Sequence, residues 1–158
     1  MIEEKKERIK KILAKARQKL LQWARVLDEG DWTEPVYVHD EQWTAQDVLR
    51  HLTWAESGMI RLIQQIREGH EGVPPDFDLD RYNASGVQKL MDKTPADLMA
   101  MMADNREQLL QILDDLSEEE MALKGRHGSL RIMSIEEVLL MIAYHETRHL
   151  ADLKKVSG

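Results

Sequence analysis

The sequence predicts an all-α fold, a four-helix bundle with a long crossover between its second and third long helices. The composition is a helix-forming mixture, with one Phe, eight Gly and four Pro among 158 residues. Apolar residues recur at intervals of three and four along four segments. Ser or Thr residues suited to helix capping precede three of those segments. The length is that of one ordinary domain, so we expect residues 1–158 to form a single domain.

The first amphipathic segment predicts a long helix over residues 3–28 that ends at Glu29-Gly30. Residues 31–42 contain Pro35 and are expected to be a connecting loop, because Val36-Tyr37-Val38 is too isolated to make a sheet. The apolar stripe of this helix comprises Ile9, Leu13, Ala16, Leu20, Trp23 and Leu27.

The second long helix is expected to begin after Thr44, whose hydroxyl can form a capping box with Asp47. Between Gly69 and Pro75 the chain cannot continue a helix, so it should cross the bundle as an extended surface segment. The predicted buried face of the second helix comprises Val48, Leu52, Ala55, Met59, Leu62, Ile63 and Ile66.

A short helix is expected to begin at Asn83 or Ser85 and to end at Met91. Thr94 then caps the third long helix, with Pro95 at the first helical position. The apolar stripe of the third helix comprises Met99, Met102, Leu109, Leu113 and Leu116.

Ser117 to Met121 should add one capped turn, and a polar loop should then run to Met133. Ser134 and Glu137 predict a capping box at the start of the fourth long helix, which ends near Lys154. Its apolar face comprises Val138, Met141, Ile142, His145, His149 and Leu153.

The net charge of −7 argues against binding to nucleic acid, since phosphate backbones would be repelled. The first 19 residues are nevertheless basic, and we interpret this run as a solvated helix face rather than a docking patch. No apolar stretch approaches 18 residues and no signal-peptide core is present, so we expect a cytoplasmic protein that does not enter membranes. The basic residues are Lys5, Lys6, Arg8, Lys10, Lys11, Lys15, Arg17 and Lys19.

Three histidines lie on predicted buried faces. His51 follows Val48 by three residues, and His145 and His149 lie four residues apart on the apolar stripe of the fourth helix. His51 lies about 10 Å into its helix, and the His145–His149 pair lies about 10 Å before the end of the other. Antiparallel packing of these two helices would therefore bring all three to one level.

We predict that these histidines bind a divalent metal. The chain has no cysteine, so a metal must be held by His, Asp or Glu. Three neutral imidazoles with an open fourth position make a catalytic type of site for zinc or a similar ion. The competing interpretation, core histidines satisfied by ordinary hydrogen bonds, would require a separate buried acceptor for each ring.

The run from His145 to His149 also matches the His-Glu-x-x-His pattern of zinc proteases, in which Glu146 would activate water. A metzincin takes its third ligand downstream, and only nine residues follow here, none of them His or Glu. Glu146 is turned about 100° from His145 on a helix. We therefore predict a solvent-facing, salt-bridged glutamate and keep Glu146 only as a secondary catalytic candidate.

Tyr144, Tyr82 and Asn83 are further secondary catalytic candidates. Tyr144 could donate a proton, although core packing is its commoner role. The crossover segment that contains Asp80, Tyr82 and Asn83 could cover the open metal face.

Trp43 and Trp54 could form a wall of the pocket, although most such tryptophans simply pack. His39, His70 and His127 fall in predicted loops and are expected to be surface residues.

The residues that carry these predictions also resemble a known family. The runs that carry the likeness are Trp43 to Leu52, Asp80 to Ala84, and His145-x-x-x-His149-Leu150-Ala151-Asp152. They are similar to the DinB/YfiT-like superfamily of four-helix metalloproteins. The resemblance implies the bundle with its long crossover, a zinc or nickel ion on His51, His145 and His149, and frequent dimerisation.

The resemblance implies no single activity. Relatives include transferases and isomerases that use the thiols bacillithiol or mycothiol, and many others are described only as metal-dependent hydrolases. A metal that lowers the pKa of a bound thiol or water accounts for both. We expect an enzyme of thiol transferase or hydrolase type acting on a small molecule. The alternatives are a non-catalytic metal or small-molecule binding protein and a purely structural dimerising bundle.

Overall fold

A computed structural model describes residues 1–37 and 42–155, and none of the helices in these ranges is long and apolar enough to cross a membrane. The helices are, in chain order, α1 (Ile2–Ala24), α2 (Glu29–Trp32), α3 (Ala45–Arg67), α4 (Leu79–Lys89), α5 (Pro95–Asp115), α6 (Glu118–Met121) and α7 (Ile135–Lys154). The strands are β1 (Pro35–Tyr37), β2 (Trp43–Thr44), β3 (Lys124–Arg126) and β4 (Ile132–Ser134). The long helices α1, α3, α5 and α7 form the predicted four-helix bundle.

Two apolar clusters show the directions in which the long helices run. One cluster joins the first part of α1, the end of α3, the end of α5 and the start of α7, represented by Ile9, Ile63, Leu113 and Val138. The other joins the opposite ends of the same helices, represented by Leu20, Leu49, Leu98 and Leu153. Helices α1 and α7 therefore run in one direction and α3 and α5 in the other. The antiparallel packing of α3 and α7 that the histidine prediction required is confirmed.

Because α3 and α5 run in the same direction, the chain must return along the bundle between them. Residues 68–94 make this crossover, and α4 lies within it against α3. A Cβ at Gly86 would collide with the Trp54 ring, and a Cβ at Gly58 would lie 2.5 Å from the Tyr82 hydroxyl. The two glycines therefore let α3 and α4 approach closely. The predicted long crossover is confirmed.

The predicted caps of the long helices are present. Thr44, Thr94 and Ser134 each accept a hydrogen bond from the backbone N–H of the third helical residue. Asp47 and Glu137 accept the return bonds from the backbone N–H of Thr44 and Ser134. These reciprocal bonds satisfy donors that the first helical turn leaves without partners.

The predicted end of the first helix is wrong. Helix α1 ends at Ala24, and Glu29-Gly30 lies inside the short helix α2. Asp28 explains why Glu29 and Gly30 are helical, because its carboxylate accepts the backbone N–H of Asp31 and starts a new helical turn.

The predicted start of the short crossover helix is also wrong. Helix α4 begins at Leu79, several residues before Asn83 and Ser85. The side chain of Asp78 caps it by accepting the backbone N–H of Arg81. The additional capped turn after α5 is confirmed as α6.

Two segments predicted to be loops contain β-hairpins. Tyr37 of β1 lies opposite Trp43 of β2, and Gly125 of β3 lies opposite Met133 of β4. A two-stranded hairpin is marginal in isolation. Each hairpin here leads directly into a long helix, and Met133 is buried against the bundle. Packing on the bundle stabilises strands that the local sequence alone does not.

A buried charged layer lies between the two apolar clusters, with one residue from each long helix. Arg17 of α1 lies 2.9 Å from Glu56 of α3 and 3.0 Å from Glu146 of α7. Arg106 of α5 lies 2.9 Å from Glu56 and 3.2 Å from Glu146. Two guanidinium groups thus face two carboxylates, and these four residues are called the charged layer below.

The interpretation of the N-terminal basic run as a wholly solvated face is therefore wrong in part. Arg17 belongs to the charged layer, and Lys6 is only 6% exposed because its ammonium donates to the carbonyl of Asp114. The position of Arg17 in the sequence does indicate that its side chain faces the bundle. Arg17 lies four residues after Leu13 and three before Leu20, on the apolar stripe.

Candidate metal centre

The three predicted histidines meet inside the bundle. Nε2 of His145 lies 3.0 Å from Nε2 of His51 and 3.2 Å from Nε2 of His149. One ligand atom from each ring lies within 4.8 Å of the others. The expectations that these side chains point inward and share one level are confirmed, because they extend from antiparallel helices.

The surroundings of the three rings favour their neutral forms. Burial, with a smaller contribution from His149, lowers the pKa of His51 from 6.5 to about 3. Burial and the two neighbouring imidazoles lower the pKa of His145 to about 2. Burial lowers the pKa of His149 to about 4, an effect that Asp152 partly opposes. Neutral imidazole is the form that binds a metal.

Two of the separations between the three nitrogens are close to those around a single metal ion. Nitrogen ligands about 2.0–2.1 Å from a tetrahedral zinc lie about 3.3 Å from each other. The separations of 3.0 Å from Nε2 of His145 to Nε2 of His51 and 3.2 Å to Nε2 of His149 are close to that value, and all three nitrogens lie within 4.8 Å of one another. The donor set of three neutral imidazoles suits zinc or nickel. These residues can therefore hold a divalent metal.

Tyr37 and Asp152 orient the His149 ring. The Tyr37 hydroxyl lies 2.5 Å from Oδ2 of Asp152 and 3.0 Å from Nδ1 of His149. Burial and the neighbouring Asp152 raise the pKa of Tyr37, so the phenol stays protonated and donates to the carboxylate. Its oxygen is then the acceptor for an N–H at Nδ1 of His149. This tautomer leaves the Nε2 lone pair free to face the other two histidines.

Trp43 packs against the His51 ring, with centroids 4.9 Å apart and planes inclined by 37°. Nδ1 of His51 is buried and has no hydrogen-bond partner within residues 1–37 and 42–155. Among the described residues, His51 is therefore restrained by ring packing, whereas His149 is restrained by a hydrogen bond. Tyr37 and Trp43 lie opposite each other in the β1–β2 hairpin, so one hairpin contacts two of the three histidines.

Tyr37 and Asp152 are site residues that were not among the predicted candidates. Tyr37 lies in a segment predicted to be a loop, and no local pattern links it to a residue 112 positions away. Asp152 had a usable signal, because it follows His149 by three residues and so shares its helix face.

A cavity of about 240 Å³ begins at His51 and His145. It lies between α3, the crossover, α7 and the turn that joins β3 to β4. Its walls are mostly apolar, and the side chains that make them include Met59, Leu62, Phe77, Leu79 and Met141. A small molecule in this cavity would lie directly beside two of the three imidazoles.

The crossover does contribute to the cavity wall. Tyr82 and Asn83 both line the cavity, and Asp80 is exposed. The Tyr82 ring also packs on Trp54, with centroids 5.5 Å apart. Tyr82 and Asn83 are therefore placed to contact a ligand, and their catalytic role stays a prediction.

The prediction that Glu146 faces solvent is wrong. Glu146 is 3% exposed and accepts hydrogen bonds from Arg17 and Arg106 in the charged layer. The physical reason is that a carboxylate at a core position is stabilised by two guanidinium groups from other helices. Its expected salt-bridged state is confirmed, and its carboxylate is occupied by these contacts.

The expectation that Tyr144 packs in the core is wrong. Its side chain is 59% exposed, because it lies one residue from His145 and so projects away from the inward face of α7. Tyr144 is absent from the part of the cavity lining that the structure describes.

The other histidines differ from one another. His70 is exposed as expected. His127 is half-buried and lines the cavity, so its assignment as a surface residue is wrong in part. The β3–β4 hairpin folds back on the bundle and carries it there. His39 lies outside the described residues.

Comparison with solved structures shows the same fold. One similar structure is YfiT from Bacillus subtilis, which is described as a probable metal-dependent hydrolase with an unusual four-helix bundle topology. It matches with a TM-score of 0.77 at 19% identity, over 95% of this chain and 84% of that chain. TT2238, a four-helix bundle protein, matches with a TM-score of 0.69 at 19% identity over 95% and 98% of the two chains.

A mycothiol-dependent maleylpyruvate isomerase matches with a TM-score of 0.71 at 16% identity, over 92% of this chain and 60% of that chain. This chain therefore corresponds to only part of the isomerase. None of the curated proteins compared with the chain matches it. The sequence model of one family, the DinB superfamily, matches residues 6–153. Because this match covers nearly the whole chain, the chain belongs to the DinB superfamily.

Proposed function

We propose that this protein is a single-domain, metal-dependent enzyme in which His51, His145 and His149 bind one divalent cation, zinc or nickel. The enzyme uses a low-molecular-weight thiol or water to attack a small substrate. The observation that carries the proposal is the convergence of three Nε2 atoms beside a cavity large enough for a small molecule, two of whose lining residues are His51 and His145.

The chain's own residues have separate parts in this scheme. The three histidines hold the cation, which would lower the pKa of a bound thiol or water and so supply a nucleophile at neutral pH. Tyr37 and Asp152 keep the lone pair of His149 directed at the site. The apolar wall excludes water from the substrate, and Tyr82 and Asn83 orient it.

A thiol must come from outside the protein, because the chain contains no cysteine. Two of the similar structures support the two versions of the reaction. One is described as a probable metal-dependent hydrolase and the other as a mycothiol-dependent isomerase. The choice between water and a thiol, the identity of the metal, homodimer formation and a cytoplasmic location stay predictions.

Metal analysis tests whether the three histidines bind a metal ion. Protein purified without an affinity tag should contain about one equivalent of zinc or nickel per chain. His51→Ala should remove that metal, whereas His70→Ala, on the exposed surface, should retain it. Full metal occupancy in His51→Ala would show that the proposed ligand set is wrong.

Turnover separates an enzyme from the main alternative, a protein that binds a metal or small molecule without reaction. The metal-loaded protein would be assayed with monochlorobimane and, in turn, bacillithiol, mycothiol, glutathione and coenzyme A. We expect metal-dependent conjugation with at least one thiol, or metal-dependent hydrolysis of small esters and amides. A full complement of metal without either reaction would favour the binding protein.

A further inference from the structure

The charge of the cavity differs from that of the whole protein. The chain has a net charge of −7, yet the described residues that line the cavity include no carboxylate. The only side chain among them with a permanent charge is that of Arg61, at the exposed edge of α3. An anion in this cavity would therefore meet one fixed positive charge and no negative charge.

Arg61 also differs from the other arginines that pack on the bundle. Arg17 and Arg106 pair with carboxylates in the charged layer, and Arg50 and Arg67 pair with acidic residues elsewhere. Across residues 1–37 and 42–155, no carboxylate lies within ion-pair distance of Arg61. Its positive charge is therefore available to a ligand.

Hydroxyl groups hold the Arg61 guanidinium in place without neutralising it. Nη1 donates to Oγ of Ser57 at 3.0 Å, and Nη2 donates to the Tyr82 hydroxyl at 3.0 Å. The guanidinium carbon also lies 6.0 Å from the centroid of the Trp54 ring. These contacts use two of the five N–H donors of the guanidinium, and the other three remain for an acceptor.

The cavity wall also carries neutral polar side chains. Gln65, Asn83 and His127 all line it, and each can donate or accept a hydrogen bond. Arg61 lies ten residues after His51 on α3, about 15 Å along the helix, and the apolar side chains of Ala55 and Met59 line the cavity between them. A ligand that fits this arrangement has an apolar body with an anionic group at one end.

We propose that the cavity takes small molecules with a carboxylate that binds Arg61 and an apolar portion that lies toward His51 and His145. The proposal rests on the proposed function in one respect, namely that the histidine end of the cavity is where reaction occurs. It assigns Arg61 as a residue that determines which substrate or thiol is bound. A carboxylate matches the planar guanidinium, because it can accept two parallel N–H bonds.

A pair of probes of the same shape tests the preference. Isothermal titration would compare 4-phenylbutyrate with 4-phenylbutyramide, using both zinc-loaded and metal-free protein. We expect the carboxylate to bind about three- to fivefold more tightly than the amide, since an ion pair with an exposed side chain contributes at most about 1 kcal/mol. The preference should persist without zinc.

Two variants identify the residue responsible. Arg61→Gln should abolish the preference for the carboxylate. Arg81→Gln removes the same charge from an exposed position on α4 that is not part of the described cavity lining, and it should keep the preference. Circular dichroism spectra and melting temperatures of both variants establish that each is folded.

Three results would overturn the proposal. They are equal binding of the two probes, binding of neither at millimolar concentration, and a carboxylate preference that survives Arg61→Gln but disappears when zinc is removed. The last would mean that the carboxylate binds the metal itself. A preference that depends on Arg61, in a protein that fails to bind zinc or nickel even when either metal is supplied, would support this inference while contradicting the proposed function.

Discussion

The Tyr37 hydroxyl lies 3.0 Å from Nδ1 of His149, although the two residues are 112 positions apart in the chain. The contact joins the β1–β2 hairpin to the last turns of α7. Because Tyr37 donates to Asp152, it accepts from His149 and selects the tautomer whose Nε2 can bind a metal. The hairpin is thus part of the candidate metal centre.

Tyr37→Phe removes the acceptor for Nδ1 of His149 and leaves the ring of residue 37 in place. We expect zinc to bind about 10–100-fold more weakly, which is the usual effect of losing the partner of a metal-binding histidine. Competition with a chromophoric chelator measures the affinity, and the visible spectrum of the cobalt-substituted protein reports the ligand geometry.

Tyr144→Phe is the matched control, because it removes a hydroxyl from the exposed side of the same helix as His149. Its zinc affinity should equal that of the unaltered protein. If Tyr37→Phe also binds zinc with unchanged affinity, Tyr37 does not position His149.

Acid should destabilise the metal-free protein well before most carboxylates titrate. The folded-state pKa values of His51, His145 and His149 are about 3, 2 and 4, against 6.5 for an unperturbed histidine. Below pH 6.5 the unfolded chain therefore binds protons that the folded chain excludes. The free energy of unfolding is greatest above this pH and falls as the pH is lowered.

Urea unfolding in EDTA at pH 7.5, 6.5 and 5.5 measures this dependence. His149→Gln should weaken it by removing one of the three titrating groups, while His70→Gln, at an exposed site, should not. A free energy of unfolding that is constant across this pH range would contradict the burial of three neutral histidines.

Glu146→Gln tests the role of the charged layer. The substitution leaves the guanidinium groups of Arg17 and Arg106 facing Glu56 alone, so two buried cations share one carboxylate. We expect the free energy of unfolding to fall by about 3 kcal/mol, the scale measured when a buried ion pair loses a partner.

Glu136→Gln is the control on the same helix. Glu136 and its partner Lys5 are both 29% exposed, and such pairs contribute about 0–1 kcal/mol. A stable Glu146→Gln protein that binds metal but has lost its activity would instead indicate that Glu146 is the catalytic base of a His-Glu-x-x-His site.

Gly86→Ala tests the close approach of α3 and α4. Alanine favours a helix over glycine by about 1 kcal/mol. The new methyl group would nevertheless overlap the Trp54 ring, and overpacking of this kind costs about 1–3 kcal/mol. We expect a lower melting temperature and altered tryptophan fluorescence, because α4 must move away from α3.

Ser85→Ala provides the comparison, since this neighbouring position on α4 is exposed. It should leave the melting temperature nearly unchanged. A Gly86→Ala protein that is more stable than the original would show that the helix gap is wider than the structure indicates.

The sequence by itself determined the features that depend on neighbours along one helix. The capping boxes at Thr44 and Ser134 were predictable because the partners lie three residues apart. The inward positions of His51, His145 and His149 were predictable because a helix repeats every 3.6 residues. Predicting that the three histidines lie at one level required only the helix lengths and the antiparallel direction of two helices.

Tertiary structure alone decided the features that depend on partners far apart in the chain. Glu146 is buried because Arg17 and Arg106 reach it from two other helices, across separations of 129 and 40 residues. Tyr37 joins the site because its hairpin is stabilised by packing against the bundle. Burying a charge or ordering a short strand costs free energy that only such distant contacts offset, and no pattern local to one helix reveals them.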